Sequence, residues 1–341
     1  MDVYFDKSNL RSYVASSSNA AFADCNRMLV NKFNIKFTFA KDDIAPKKED
    51  NNDNSKDENE DIRQWITVMN DGFKGTISWN VNHPTRPLKS NAHTTFSRDQ
   101  LSSVYLVDDE RIQQLEEYGL LLYGGVGSEI EILSSLIMAG TDYGFVKQLP
   151  IKDLLNWRDL HNYTSPCSDI LLVDQYLFSF TELYDVNVCS LLNEICSHAK
   201  DAKVNIVILT LPQCYDKRTR TSFVPNWTDI RNRIKQGVEA NTGKKPNVTL
   251  VLSSNLGEHD RTIFTNYKSI ESGDTFNYFD STWKVISAGR HIEVFSLADR
   301  EFFENSMRFV NDMQVILDNV KRLNKDNIIG DKKCNYLNFG D

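Results

Sequence analysis

Four residues in the C-terminal half have types and spacing suited to a phosphate ester. They are His259, Arg261, Asn266 and Gly273, in the pattern H-x-R-x4-N-x6-G. A histidine can attack phosphorus or protonate a leaving oxygen. The planar fork of an arginine can grip two phosphate oxygens. Asp260 lies between the two, and strand alternation would point it away from His259. The same residue types can also satisfy one another as a polar cluster at a sheet edge, with no ligand.

Other positions invite weaker readings. Asp174 follows the apolar run Ile170-Leu171-Leu172-Val173, and ligands in open α/β sheets gather at the carboxyl ends of strands. Asp174 therefore joins Arg261 as an expected phosphate-binding residue. Lys217, Arg218 and Arg220 form a short basic loop. With Arg231, Arg233 and Lys235 they would make a nucleic-acid surface through phosphate contacts, or simply a solvated face. Gly124-Gly125-Val126-Gly127-Ser128 precedes a helix whose free N–H groups could hold a phosphate. No Gly-Lys-Ser/Thr follows, so it is not a P-loop. Arg290-His291 offers a second histidine that could reach His259. Cys196 and His198 are close in sequence, but no other His or Cys completes a zinc set. No metal or cofactor is expected on this reading.

The elements that must carry these residues follow from pattern. Apolar runs at Ile170–Tyr176, Val204–Thr210 and Val248–Leu252 read as buried strands. Val188–His198, Thr228–Ala240 and residues 299–324 read as helices between and after them, and Arg261–Asn266 leads into a further strand. In the N-terminal half, strands are expected at Val3–Phe5, Ile35–Phe39, Gln64–Met69, Gly75–Val81, Ser102–Val107 and Leu120–Tyr123. Helices are expected at Leu10–Asn31, from Asp108 and at Ser128–Met138. Residues 41–61 are nearly devoid of apolar side chains and read as a disordered acidic loop. The fold class is therefore α/β in two modules. Residues 1–150 form an α/β N-terminal module, residues 151–330 a mixed sheet with helices on both faces, and residues 331–341 a tail.

The chain has 341 residues, a net charge of −8 and 40% apolar residues. That is enough for a core in each module. The acidic balance argues against a surface made for coating nucleic acid, though not against one basic pocket. Six cysteines without a C-x-x-C pair read as reduced, mostly buried thiols. No signal-peptide pattern and no apolar run near the roughly 18 residues that span a bilayer is present. A cytoplasmic protein without a membrane partner is the expectation.

The spacing matches the phospholipase D signature H-x-K-x4-D-x6-G-S, with Arg261 for the lysine, Asn266 for the aspartate and Asp274 for the serine. Residues 168–285 resemble the phospholipase D-like C-terminal domain of eukaryotic proteins that carry a microtubule-interacting and trafficking domain. The likeness runs through Asp169–Tyr176, Val204–Thr210, His259-Asp260-Arg261, Asn266, Ile270, Gly273, Tyr278 and Phe279, about a third of the chain. It implies metal-independent phosphodiester chemistry, with His259 as nucleophile or acid, Arg261 as clamp and Gly273 as a further phosphate-binding residue. One motif per chain implies a homodimer with two sites face to face. Asn266 lacks the carboxylate that would orient the histidine. Bacteria carry such domains beside anti-phage defence genes, which implies a nucleic-acid-directed effector or sensor, with a protein partner in a defence complex as a further expectation. The eukaryotic relatives are binding domains, which implies instead a non-catalytic module holding a phosphate or a partner protein. Val3-Tyr4-Phe5-Asp6 resembles the first strand and aspartate of PIN-like nucleases, with Asp108 and Asp109 after a later strand. That implies a third reading, a metal-dependent nuclease in the N-terminal half.

Overall fold

The computed structural model describes residues 1–46, 57–82, 97–108, 122–138, 144–216, 221–257 and 261–340. The N-terminal elements are β1 (Asp2–Phe5), α1 (Lys7–Ala15), α2 (Phe22–Lys32), β2 (Asn34–Phe37), α3 (Glu60–Asn70), β3 (Ile77–Ser78), α4 (Arg98–Leu101), β4 (Val104–Leu106), β5 (Tyr123–Gly124) and α5 (Glu129–Ser134). The strands lie in the order β3-β2-β1-β4-β5, and every pairing is parallel. Parallel strands need crossovers; α1 and α2 supply the one from β1 to β2, and α3 the one from β2 to β3. Strand order reverses between β1 and β4, the switch point at whose carboxyl ends open α/β sheets place a ligand crevice.

Several sequence expectations change here. The helix expected over Leu10–Asn31 is two helices, separated by the turn at residues 16–21. Gln64–Met69 was expected to be a strand and is helical within α3. Its buried residues Ile62, Trp65, Ile66 and Met69 follow the helical period, and that face packs on the core. The acidic segment 41–61 is not uniformly disordered. Lys41–Ile44 form a 3-10 turn with Ile44 buried, and Glu60 and Asp61 open α3; residues 47–56 lie outside the described residues.

The C-terminal elements are β6 (Val146–Pro150), β7 (Asp169–Val173), α6 (Ser190–Ser197), β8 (Lys203–Thr210), β9 (Cys214–Asp216), β10 (Thr221–Phe223), α7 (Trp227–Thr242), β11 (Lys245–Leu252), β12 (Thr262–Thr265), β13 (Lys268–Ser272), β14 (His291–Ser296), α8 (Arg300–Leu323) and β15 (Ile328–Gly330). Eight of the strands build a mixed sheet in the order β15-β11-β8-β7-β12-β13-β14-β6, and β9 and β10 form a separate antiparallel pair. β7, β8 and β11 are parallel. The other pairings are antiparallel. The central strands are buried on both faces, Ile170 to Val173 and Ile206 to Leu209 being fully inaccessible. Each such side chain contributes about 1.5–3 kcal/mol of burial. α7 ends at Gly243, whose φ of 69° suits a left-handed helix cap that only glycine adopts cheaply. α8 packs Phe303, Val310, Met313, Leu317 and Val320 inward. The α/β class and the helix-flanked sheets agree with the sequence.

The module boundary does not fall at 150. β6 pairs with β14, so residues 146–150 belong to the second sheet. Residues 331–340 are not a loose tail either. Asn335 binds the Asp169 carboxylate through its backbone N–H at 2.8 Å and its amide at 2.7 Å. Tyr336 is fully buried and meets Ser102 at 2.8 Å. The modules also join through the β12–β13 turn. Asn266 Nδ2 donates to Leu101 O at 3.2 Å, Tyr267 Oη to Ser103 O at 3.2 Å, and Lys268 Nζ to Leu136 O at 3.2 Å. No helix among the described residues is long and apolar enough to cross a membrane.

Candidate functional site

The two ends of β12 separate the motif residues. β12 runs antiparallel to β7, with Thr262 opposite Val173 and Thr265 opposite Ile170. Arg261 therefore sits at the carboxyl end of β7, beside Asp174. Asn266 sits at the amino end, where its Oδ1 accepts the N–H of Ser168 at 2.9 Å and of Asp169 at 3.3 Å. Four intervening strand residues, five rises of the chain, put roughly 17 Å between the two positions. Asn266 is fully buried and joins the modules. It does not share a site with Arg261, which corrects the expected catalytic grouping. His259 lies outside the described residues, as do Lys217, Arg218 and Arg220.

Arg261, Gly273 and Asp174 do meet at one end of the sheet. Arg261 Nη1 donates to Gly273 O at 3.0 Å, because β12 and β13 form a hairpin that returns the chain there. Asp174 is fully buried. Its Oδ1 accepts Tyr176 N–H at 2.8 Å; its Oδ2 accepts Thr275 Oγ1 at 2.7 Å and Phe276 N–H at 2.8 Å. Burial raises its pKa to about 6, against the lowering by those hydrogen bonds and by Arg261. An ionised carboxylate is acceptor-only and repels phosphate. Asp174 thus anchors the 275–276 loop and is not a phosphate ligand. Asp274, in the place of the signature serine, is spent in the same way on Thr275 N, Ser287 Oγ and Ala288 N.

The other basic residues are paired. Arg231 meets Asp331 at 2.6 Å, Lys235 meets the same carboxylate at 3.3 Å, and Arg233 grips Asp185 at 3.0 and 2.6 Å. They do not offer an open phosphate-binding row. His291 begins β14, two strands from β12 and roughly 10 Å away; its nearest charge is Glu293 at 3.7 Å.

A different set of side chains converges at the crevice of the N-terminal sheet. Asp6 follows β1 and Asp108 follows β4, and Asp108 N–H donates to Asp6 Oδ2 at 2.6 Å. Asp6 also caps α1, accepting Asn9 N–H at 2.8 Å. Asn9 is fully buried. Its Nδ2 donates to Glu129 Oε1 at 2.9 Å and to Gly124 O at 3.3 Å, while its Oδ1 has no hydrogen-bond partner. Glu129, 1% exposed, also accepts Ser12 Oγ at 3.1 Å and Gly127 N–H at 3.0 and 3.1 Å. The glycine turn thus gives a donor to its own carboxylate, and not to a phosphate. A Cβ at Gly124 would stand 2.2 Å from Ser128 Oγ and 2.1 Å from Ile132 Cδ1, so a larger residue there would have to displace both side chains.

Oxygen acceptors dominate this crevice. Buried carboxylates ordinarily require compensation by donors or cations, and an acceptor without a donor is costly. Among the described residues, Asp6, Asp108 and Glu129 do not come close enough to form a three-carboxylate metal cluster. The set fits instead a hard cation held by one or two side chains and waters, as magnesium commonly is. Sequence reasoning found Asp6 and Asp108 but missed Asn9 and Glu129. The available signal was Asn9 three residues after a strand-ending aspartate, in the first turn of a helix.

The chain matches no protein-family model and no curated protein. Among solved structures it is similar to TrmBL2, an archaeal chromatin protein whose structure shows a novel mode of DNA binding. The identity is 14% and the TM-score 0.28, covering 55% of this chain and 58% of that one. The similarity spans less than two thirds of that protein, and at this TM-score it decides nothing about fold or DNA.

Proposed function

We propose that the protein is a divalent-cation-dependent phosphodiesterase acting on nucleic acid, with its chemistry at the crevice between β1 and β4. The observation that carries this reading is the unpartnered Oδ1 of Asn9, fully buried beside the Asp6 cap and the Glu129 carboxylate. A cation bound there would polarise a phosphoryl oxygen and acidify a bound water. Asp6 and Asn9 Oδ1 would hold it. Asp6 is pre-positioned by capping α1 and by the Asp108 N–H. Glu129 fixes the Asn9 amide by taking its Nδ2, which leaves the buried Oδ1 as the acceptor without a partner. A single chain suffices, without the face-to-face homodimer that one phospholipase D motif would need.

The C-terminal module is read as a non-catalytic binding half. Supporting this, Asn266 is spent on the module junction and Asp174 on a loop. The test incubates wild type, Asp6→Asn and His259→Ala with labelled single- and double-stranded DNA and RNA, in manganese or magnesium and in chelator. The expected result is metal-dependent cleavage that persists in His259→Ala and is lost in Asp6→Asn. Cleavage in chelator that disappears in His259→Ala would overturn it in favour of the phospholipase D-type reading.

A further inference from the structure

A cluster of metal-ligand residues lies in the C-terminal module, away from both regions described above. α6 carries Glu194, and His198 forms its C-terminal cap. The i, i+4 spacing puts both on one helix face. A 3-10 helix, Trp157–Tyr163, brings His161 against them. That short helix is firmly seated. Trp157 packs on Phe276, Tyr278 and Phe279, and Asn156 caps it by accepting Arg158 N–H at 2.9 Å.

The geometry centres on one carboxylate oxygen. His161 Nδ1 stands 2.7 Å from Glu194 Oε1, and His198 Nε2 stands 3.6 Å from the same atom. One ligand atom from each residue lies within 4.8 Å of the other two. The imidazole centroids are 4.5 Å apart. The Glu194 side chain is only 10% exposed. His198 Nε2 is buried and has no hydrogen-bond partner, since 3.6 Å is too long for one. The fold thus holds a buried carboxylate and an unpartnered ring nitrogen facing a common point.

We propose that His161, Glu194 and His198 bind one zinc-type transition-metal ion, with the fourth position open. Two imidazoles and one carboxylate are a donor set that zinc accepts and that magnesium or calcium does not favour. Tetrahedral ligands at zinc distances lie roughly 3.3 Å apart. The 2.7 Å contact must therefore open slightly and the 3.6 Å contact close slightly. His161 is 62% exposed, so its ring is free to turn while α6 holds the other two ligands. Of the three ligands, Glu194 also lines a cleft of about 640 Å³ with Asn193, Ser197, Trp157 and Trp283. Bound metal would tie the 157–163 segment to α6. The proposal does not depend on the N-terminal reading, since its ligands and its preferred ion differ.

The test uses the full chain, stripped with chelator and titrated with zinc by calorimetry. Wild type and Asp6→Asn should each take up one equivalent, and His161→Ala should bind at least tenfold more weakly. His161 is exposed, so that variant should keep its circular dichroism spectrum; Glu194→Gln should lose binding to a similar extent. Cobalt loading should give visible d–d bands without a thiolate charge-transfer band. Absence of stoichiometric binding, equal affinity in wild type and His161→Ala, or a thiolate band showing that the ion went to cysteine would each overturn the proposal.

Discussion

Asn266 Oδ1 accepts the backbone N–H of Ser168 at 2.9 Å, at the opposite end of β12 from Arg261. Its Nδ2 reaches Leu101 O in the N-terminal module at 3.2 Å. The side chain is a bolt between two strands and two modules. Asn266→Ala should therefore destabilise the fold by about 2–4 kcal/mol, the cost of leaving buried amide and carbonyl partners unsatisfied. Activity per folded molecule should be unchanged. Urea denaturation beside a rate measurement separates the outcomes; a lost rate at unchanged stability would return Asn266 to a catalytic role.

Lys268 lies beside it, 2% exposed. Burial alone lowers its pKa from 10.5 to about 7. Between those values the unfolded chain binds a proton that the folded chain does not, so stability rises with pH from about 7 to about 10.5. Below about 7 the cost is constant, of the order of a few kcal/mol. Lys268→Met should remove the slope and leave the protein at least as stable near pH 7, because Leu136 O keeps its bond from Ser296 Oγ. Melting temperatures across pH 6–10 check this, and a parallel slope in the variant would contradict it.

Asn9→Leu is a near-isosteric removal of the unpartnered oxygen. Glu129 Oε1 keeps the Gly127 N–H, so the variant should fold. Manganese should raise the melting temperature of wild type but not of Asn9→Leu, and nuclease activity should fall at least tenfold. A manganese shift of equal size in both proteins would place the cation elsewhere.

The legible parts of the fold were those with local signals. β7, β8 and β11 are unbroken apolar runs, and α7 and α8 carry a clear apolar face. α3 was misread because Trp65, Ile66, Thr67 and Val68 are strong strand formers, while the helical spacing of Ile62, Trp65, Ile66 and Met69 needed a longer window. β6 was missed because its pairing with β14 is more than a hundred residues distant. The motif at 259–273 has the right linear spacing, yet spacing does not say at which end of a strand a residue falls. Asn266 is one strand length from Arg261 for that reason. The pair Glu194 and His198 was visible at helical spacing, but His161 is 33 residues upstream of Glu194 and only the tertiary fold brings it in.

Asp174 makes the last prediction, and its sign is unusual for an aspartate. Burial raises its pKa from 3.8 to about 6, so between those values the folded chain binds the extra proton. Its contribution to stability is full below about pH 4, falls as pH rises to about 6 and is flat above that. The drop is about 3 kcal/mol. Asp174→Asn removes the titration and keeps an acceptor oxygen for Thr275 and Phe276, at the cost of setting an amide against Tyr176 N–H. Subtracting the two stability curves cancels the other carboxylates. The difference, wild type minus variant, should decline between pH 4 and 6. A difference that rises over that range would mean that the partners of Asp174, Arg261 among them, outweigh its burial, and that the end of β7 is electropositive enough to draw a phosphate after all.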